Sequence, residues 1–292
     1  MLGVVNLDKP IGPTSHDMVG LMRRLTGIRR IGHAGTLDPL ASGVLPILVG
    51  AATRFSEELS GSAKRYDATI RLGQRSATDD DEGPLSSGSL PPDEARIRAA
   101  LAGFSGTISQ LPPAFSARKV AGRRAHRAAR AGELLVLEAR DVRIDGIEIL
   151  EVMAGDATTD VRIDLRCGPG TYVRSLARDL GEKLGCGGHL AALRRTEAAG
   201  LRADDATTPE MLERLAGDGR LGEALLPVER LLRLPKVVLE AASATRFVNG
   251  VALEIEGSDG RHAVYRGDEL IGIGRLSGGR LQPEKVLPVA DR

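Results

Sequence analysis

The sequence predicts an α+β fold, a large domain of interleaved strands and helices followed by a small β domain. Three observations carry this. The chain has 292 residues, long for one small domain and short for three. Segments of strand and helix periodicity alternate without a regular β-α-β rhythm, which argues against a doubly wound sheet. After Leu234-Pro235 the texture changes to short β-type runs. Hydrophobic residues make up 42% of the chain, enough to build a core rather than a disordered chain.

The elements follow in order. Gly3–Leu7 is a short apolar run that reads as a buried strand, closed by the turn chemistry of Asp8-Lys9-Pro10 and Gly12-Pro13. Thr14 or Ser15 can cap a helix in which Val19, Met22 and Leu25 keep helical spacing, and Gly27 suits its exit. Residues 30–50 are punctuated by glycine and proline. Tyr66–Leu72 reads as a strand with Ala68, Ile70 and Leu72 on one face. Residues 76–92 are polar, acidic and rich in proline and glycine, and read as a surface loop; residues 93–102 read as a helix. Val161, Ile163 and Leu165 alternate with charged residues in a half-buried strand that Gly168-Pro169-Gly170 breaks. Val173, Leu176, Ala177, Leu180 and Leu184 form one helical stripe, and residues 207–232 suggest one or two more helices. Lys236–Leu239, Val251–Ile255, His262–Arg266 and Glu269–Ile273 read as strands of a small β-barrel or sandwich, with Gly267-Asp268 as a two-residue hairpin turn.

Composition excludes several classes. The two cysteines, Cys167 and Cys186, have no Cys-x-x-Cys spacing, so neither a disulfide framework nor a four-ligand zinc site is expected. Cys186 and His189 stand alone and read as structural. The run Asp79–Glu82 has no histidine cluster to make a metal hydrolase. The first residues lack a basic signal-peptide region, and no apolar run reaches membrane-spanning length, so the expectation is a cytoplasmic protein. The formal net charge is +1, so any nucleic-acid binding must rest on local patches. Two occur: Arg23, Arg24, Arg29 and Arg30 in residues 21–35, and Arg118, Lys119, Arg123, Arg124, Arg127 and Arg130 in residues 116–130, neither with an acid.

The densest chemical signal is Arg30-Ile-Gly-His-Ala-Gly-Thr-Leu-Asp-Pro-Leu-Ala-Ser-Gly-Val-Leu-Pro. Its glycines let backbone approach a ligand, and Pro39 biases Asp38 toward an extended conformation. One carboxylate is thus held on a restrained loop beside a histidine and arginines. Local physics alone allows Asp38-Pro39 to be an ordinary turn.

From Gly32 to Pro46 the segment resembles the signature of the TruB family, the bacterial tRNA pseudouridine-55 synthases. It matches every fixed position of Gly-His-x-Gly-x-Leu-Asp-Pro-x-Ala-x-Gly-x-Leu-Pro. Asn6-Leu7-Asp8-Lys9-Pro10, Lys64-Arg65-Tyr66 with Arg71-Leu72-Gly73, Gly170-Thr-Tyr-Val-Arg-Ser175 with Asp179-Leu-Gly181, and Leu193-Arg-Arg-Thr196 resemble further family motifs in the family's order.

The resemblance implies a pseudouridine synthase fold with a mixed, mostly antiparallel central sheet flanked by helices and loops. It also implies a catalytic domain over 1–235 with an RNA-gripping insertion about 112–135, and a PUA-like RNA-binding β-barrel over 236–292. It makes Asp38 the nucleophile, Arg174 the cation that favours its ionised form by roughly 1–3 pKa units, and Tyr66 the aromatic that stacks on the base, worth roughly 1–3 kcal/mol, with help in removing the C5 proton as a further implied role. Tyr172 is implied as a second pocket tyrosine or a packing residue, and Gly35 and Leu193 as part of the site. His33 is implied to position the flipped nucleotide. Lys9 either contacts RNA phosphate or supports the nucleophile loop. Lys119, Arg123 and Arg124 are the implied grip on the RNA backbone, with Phe115 and His126 standing where tyrosine is usual.

The implied reaction moves the ribose C1′ bond of uracil from N1 to C5 in the T-loop of tRNA, by covalent attack on the sugar or through a glycal. It adds no group and needs no redox or phosphate energy, so no cofactor, metal or obligatory protein partner is expected, and a monomer is the family expectation. A tRNA-folding chaperone without catalysis would not require Asp38, Tyr66 and Arg174 together. A guide-RNA-dependent relative would usually carry a basic tail, which Val289-Ala-Asp-Arg292 does not supply.

Overall fold

The computed structural model describes residues 1–115 and 137–287, with the backbone alone of 119–120 and 123–124. Strand β1 (Gly3–Lys9) leads to helix α1 (Ser15–Thr26), β2 (Ile31–His33), β3 (Ala41–Val49), the short α2 (Ser56–Ser60) and β4 (Lys64–Leu72). A hairpin of β5 (Gln74–Ser76) and β6 (Leu85–Ser87) follows, then α3 (Glu94–Ala102) and β7 (Gly106–Gln110). The backbone pair β8 (Lys119–Val120) and β9 (Arg123–Arg124) precedes the long β10 (Arg140–Ala154), β11 (Thr159–Cys167), α4 (Val173–Leu184), β12 (Gly188–Ala198) and β13 (Leu201–Arg202). Helix α5 (Pro209–Gly217) and β14 (Leu225–Leu226) complete the large sheet.

Its strand order is β14-β1-β3-β12-β4-β11-β10-β7, with β2 beside β3 and β13 beside β12. Among the described strand pairs of this sheet only β12 with β3 is parallel, so the sheet is mixed and mostly antiparallel, as expected. Burial on β4 and β11 alternates as the sequence pattern requires: Tyr66, Ala68, Ile70 and Leu72, and Val161, Ile163 and Leu165, belong to the core with Leu176, Ala177 and Leu180 of α4. The opposite face carries cross-strand ion pairs, Arg65–Asp164, Arg71–Asp160 and Arg162–Asp67. Such exposed pairs contribute only about 0–1 kcal/mol each; they keep that face wet.

Helix α1 starts with a full capping box. The Thr14 hydroxyl accepts the Asp17 N–H at 3.1 Å, and the Asp17 carboxylate accepts the Thr14 N–H at 2.8 Å. Gly27 ends it in the left-handed conformation.

The structure departs from the sequence reading in several places. Residues 41–49 form a central strand although Pro46 argues against one. Pro46 turns its carbonyl toward Ala34, whose N–H it accepts at 2.9 Å. Its hydrogen-less nitrogen therefore faces the end of β2, where no ladder bond is required. Strands β10 and β12 escaped the pattern because bulges shift their registers, between Ile144 and Gly146 and between Leu190 and Ala192; each bulge breaks period-two alternation. Residues 76–92 are not a plain surface loop. They hold the end of β5 and all of β6, which pair as a hairpin, and Asp80 is 2% exposed.

The C-terminal part holds β15 (Lys236–Leu239), α6 (Ala241–Val248), β16 (Leu253–Glu254), β17 (Gly260–Arg266), β18 (Glu269–Ser277) and β19 (Arg280–Val286). The strands form one five-stranded sheet in the order β15-β17-β18-β19-β16, curled into a half-barrel consistent with a PUA-like domain. Arg266 and Glu269 pair across the Gly267-Asp268 turn, as the sequence predicted; helix α6 was not anticipated. This sheet leans on α2 through apolar contacts of Ala263, Leu270 and Ile273 with the cluster around Phe55 and Leu59. Glu58 there meets Arg261 and Lys285 at 2.5 and 3.0 Å. No helix among the described residues is long and apolar enough to cross a membrane.

Candidate active site

Asp38 lies in the turn that joins β2 to β3, and the turn is fixed from both sides. The Ser15 hydroxyl accepts the N–H of Leu37 at 2.8 Å and donates to its carbonyl at 2.9 Å. The Gly12 N–H donates to Pro39 O at 2.9 Å. Lys9 is fully buried, and its Nζ donates to the carbonyls of Pro10, Pro13 and Pro39 at 2.8, 2.7 and 3.5 Å. Burial pushes its ammonium down to about 8, with Asp38 opposing that shift. These bonds turn the Lys9 ammonium toward the loop that carries Asp38.

Arg174, in the first turn of α4, meets Asp38 from a distant part of the chain. Its guanidinium lies 3.0 Å from Asp38 Oδ2 and 3.2 Å from Asp80 Oδ2. It also donates to the carbonyls of Thr78 and Phe115 at 3.2 and 2.9 Å. Arg174 is 5% exposed at its side chain, whereas Asp38 keeps 38%; the aspartate opens onto the cavity and the arginine backs it. Asp80 is bonded in turn by the Thr78 hydroxyl and by the Glu82 N–H at 3.2 Å. The flanking acids are fastened too, Asp79 to Arg178 at 2.9 Å and Asp81 to His189 at 3.3 Å. Sequence reasoning missed Asp80, because an acid in an acidic run gives no sign of which carboxylate turns inward.

The cavity has a volume of about 260 Å³ and is lined by Gly35, Asp38, Lys64, Tyr66, Tyr172, Arg174, Leu193 and Arg195 among others. Six residues named from the sequence thus meet in one cleft: Gly35, Asp38, Tyr66, Tyr172, Arg174 and Leu193. His33, on β2, is not among the lining residues; burial holds its imidazole below the ordinary value, with Arg195 acting in the same direction. The side chains of Lys119, Arg123 and Arg124, with the rest of the 116–136 stretch and His126, lie outside the described residues.

Two further cations line the cavity. Arg195 is 1% exposed and donates to the carbonyls of Val44, Gly35 and Thr36 at 2.7, 3.0 and 3.4 Å. Its neighbour Arg194 points the opposite way to Asp8, at 2.8 Å, as strand alternation demands. Lys64 donates to Ser60 O and Ser62 O, both at 2.9 Å. Gly43 permits this packing. It sits at φ +101°, and a Cβ there would fall 2.2 Å from Arg195 O. Gly43→Ala is expected to cost about 3 kcal/mol or more, read as a lower midpoint in chemical denaturation; an unchanged midpoint would contradict the packing.

Burial pushes the Asp38 carboxyl above its ordinary value of 3.8; Arg174 opposes the shift and Asp80 adds to it. The arginine alone, which is what the sequence shows, would give the opposite sign. A base or nucleophile must be deprotonated, so kcat/KM is expected to rise with pH through a limb lying above 3.8. A pH–rate profile whose acidic limb falls at or below that value would contradict this. Burial also pushes the Tyr66 phenol up, which keeps it neutral and a weak base. Among the described residues no group of His, Cys, Asp and Glu could hold a metal ion.

Residues 23–173 match the model of the TruB family pseudouridylate synthase N-terminal domain, residues 174–233 that of the tRNA pseudouridylate synthase B C-terminal domain, and residues 235–287 that of the pseudouridine synthase II TruB C-terminal domain. The chain belongs to the TruB family of pseudouridine synthases. Proteins named tRNA pseudouridine synthase B share 43% identity with it in Burkholderia pseudomallei (strain 668), over 98% of this chain and 96% of that one. Identity is again 43% in Mycobacterium bovis (strain BCG / Pasteur 1173P2), over 98% and 95%. The TruB-family fold is also that of the crystal structure of the archaeal box H/ACA sRNP Nop10-Cbf5 complex, with a TM-score of 0.74 and 28% identity over 99% of this chain and 87% of that one. The structure of an H/ACA RNP bound to a substrate RNA containing 2′-deoxyuridine gives 0.73 and 27%, over 99% and 86%.

Proposed function

We propose that this protein is a tRNA pseudouridine synthase that isomerises uridine 55 in the T-loop, without cofactor or guide RNA. The observation that carries the reading is the Asp38–Arg174 contact at 3.0 Å, opening on a nucleoside-sized cavity in a TruB-family chain. Its relatives at 43% identity bear the name tRNA pseudouridine synthase B.

The target uridine first leaves its stack, at a cost of a few kcal/mol that contacts to the RNA backbone offset. In the cavity the base lies against Tyr66, with Tyr172 and Leu193 as further walls. Asp38 then attacks ribose C1′ as a retaining glycosidase does, or takes a ribose proton to give a glycal. In the first route C1′–N1 breaks as the Asp38–C1′ ester forms, and C5 of the turned base displaces the carboxylate; in the second C1′–N1 breaks as the glycal forms, and Asp38 returns the ribose proton as C1′–C5 forms. In both the C5 proton then leaves and N1 takes up a proton. Arg174 keeps the carboxylate charged and aimed. The raised pKa of Tyr66 favours stacking as its part in this. His33 positions the nucleotide, and the PUA-like half-barrel and the basic stretch with Lys119, Arg123 and Arg124 bind the tRNA. The enzyme acts as a monomer in the cytoplasm, where its substrate is.

The test is to incubate the protein with an unmodified tRNA transcript and map pseudouridine. Product at position 55 with protein and RNA alone is expected. No product would overturn the reading in favour of a folding chaperone, and product only with added guide RNA would place it with the guided relatives.

A further inference from the structure

The first turn of α4 is fixed from outside the helix. Tyr172, its N-cap residue, makes no side-chain cap bond, and an uncapped start leaves backbone groups to find other partners. Gln110, the last residue of β7, supplies one for the Tyr172 N–H and adds a second bond to the Tyr172 carbonyl, which already accepts the Leu176 N–H. Its Oε1 accepts the Tyr172 N–H at 2.8 Å, and its Nε2 donates to Tyr172 O at 3.0 Å. Gln110 is 2% exposed, and both ends of its amide close on one residue's backbone.

The segment that follows continues the tie. Leu111 O accepts from the Ser175 hydroxyl and from Arg178, both at 2.8 Å. Phe115 O accepts from Arg174 at 2.9 Å. Tyr172 lines the catalytic cavity and Arg174 touches Asp38, but Gln110 is not among the residues lining that cavity. Its influence on the site runs through backbone.

We propose that Gln110 is a positioning residue for the isomerisation. By holding the backbone of Tyr172 it sets the first turn of α4, and so the aim of the Tyr172 ring and of the Arg174 guanidinium at Asp38. The proposal rests on the activity proposed above. A misplacement of about 1 Å at a reacting centre costs up to about 100-fold in rate, so the loss without this clamp is of that order.

The test uses the full chain, an unmodified tRNA transcript and two variants, Gln110→Ala and Gln110→Met. The methionine is close in shape and fills the same space without polar ends, so it separates loss of hydrogen bonds from loss of packing. Single-turnover rate, tRNA affinity and melting temperature are measured for each. The Met variant is expected to keep its affinity and to melt only a few degrees lower, while its rate falls roughly tenfold to a hundredfold. Its acidic pH limb is expected to move upward, because an arginine that has drifted no longer favours the Asp38 carboxylate. A merely structural residue would not move that limb. A Met variant as fast as wild type, or one whose whole defect lies in tRNA affinity, overturns the proposal. If Gln110→Ala fails to fold, the Met variant decides alone. Wild type without product would instead overturn the functional reading and would appear before any variant is made.

Discussion

Asp38→Asn is expected to lower pseudouridine formation by at least roughly a thousandfold while leaving the fold intact. The amide has the size of the carboxylate and can still accept a hydrogen bond from Arg174. It can neither attack C1′ nor take a ribose proton. The sign of the stability change follows from the direction of the Asp38 shift. A carboxyl whose folded-state pKa lies above its unfolded value weakens the fold as pH rises through those values. Removing that charge is therefore expected to leave the protein as stable as wild type at neutral pH, or somewhat more stable. Single-turnover assays with a mapped product and chemical denaturation of both proteins check the two halves. Wild-type turnover by Asp38→Asn would remove Asp38 from the chemistry. A strongly destabilised variant would show that the carboxylate is held for structural reasons.

Arg174→Ala is expected to damage both function and stability. Arg174 is the shared cation of Asp38 and Asp80 and holds two backbone carbonyls besides. Breaking such a buried pair by removing one partner costs about 3–5 kcal/mol. Asp38, left facing Asp80 without the cation, holds its proton more tightly, so the acidic limb of the pH profile is expected to rise further. At neutral pH the rate is expected to fall roughly a hundredfold or more, since removing one aimed electrostatic donor typically costs 10²–10³. Raising the pH restores part of that rate in Arg174→Ala if the charge on Asp38 is what was lost. Arg174→Lys is expected to recover little, because one ammonium cannot serve two carboxylates and two carbonyls in the guanidinium's planar arrangement. A variant with wild-type stability would contradict the burial of the pair.

The sequence made legible whatever follows a period or a cap. Tyr66, Ala68, Ile70 and Leu72 on β4, the stripe of α4, the Thr14 cap and the Gly267-Asp268 turn all follow from local rules. It failed where tertiary context overrides local rules. Pro46 is tolerated in a central strand only because its nitrogen faces the end of β2. The bulges of β10 and β12 erase the alternation that would have revealed them. At the site, the signature marked Asp38, but its local physics could not separate a nucleophile from a turn. The burial of Lys9 and its three carbonyl partners, Pro10, Pro13 and Pro39, are set by the fold and leave no mark in the sequence. Asp80 was hidden among like residues, and only the fold shows which acid turns toward Arg174. The sign of the Asp38 shift could not be read either, because desolvation depends on walls contributed by distant segments.

The position of β12 bears on how the molecule is made. Late in the chain, it is inserted between β3 and β4 and runs parallel to the first. An early hairpin-like collapse of the N-terminal strands would therefore have to leave a gap in the sheet for a segment synthesised much later. Contacts of such long sequence separation make folding slow. Until β12 enters, Arg195 is absent from beneath Gly35 and the cavity has no floor. Refolding followed by recovered activity is thus expected to lag behind recovered helix signal, so that catalytic competence marks the closing of the sheet rather than the formation of the aspartate loop.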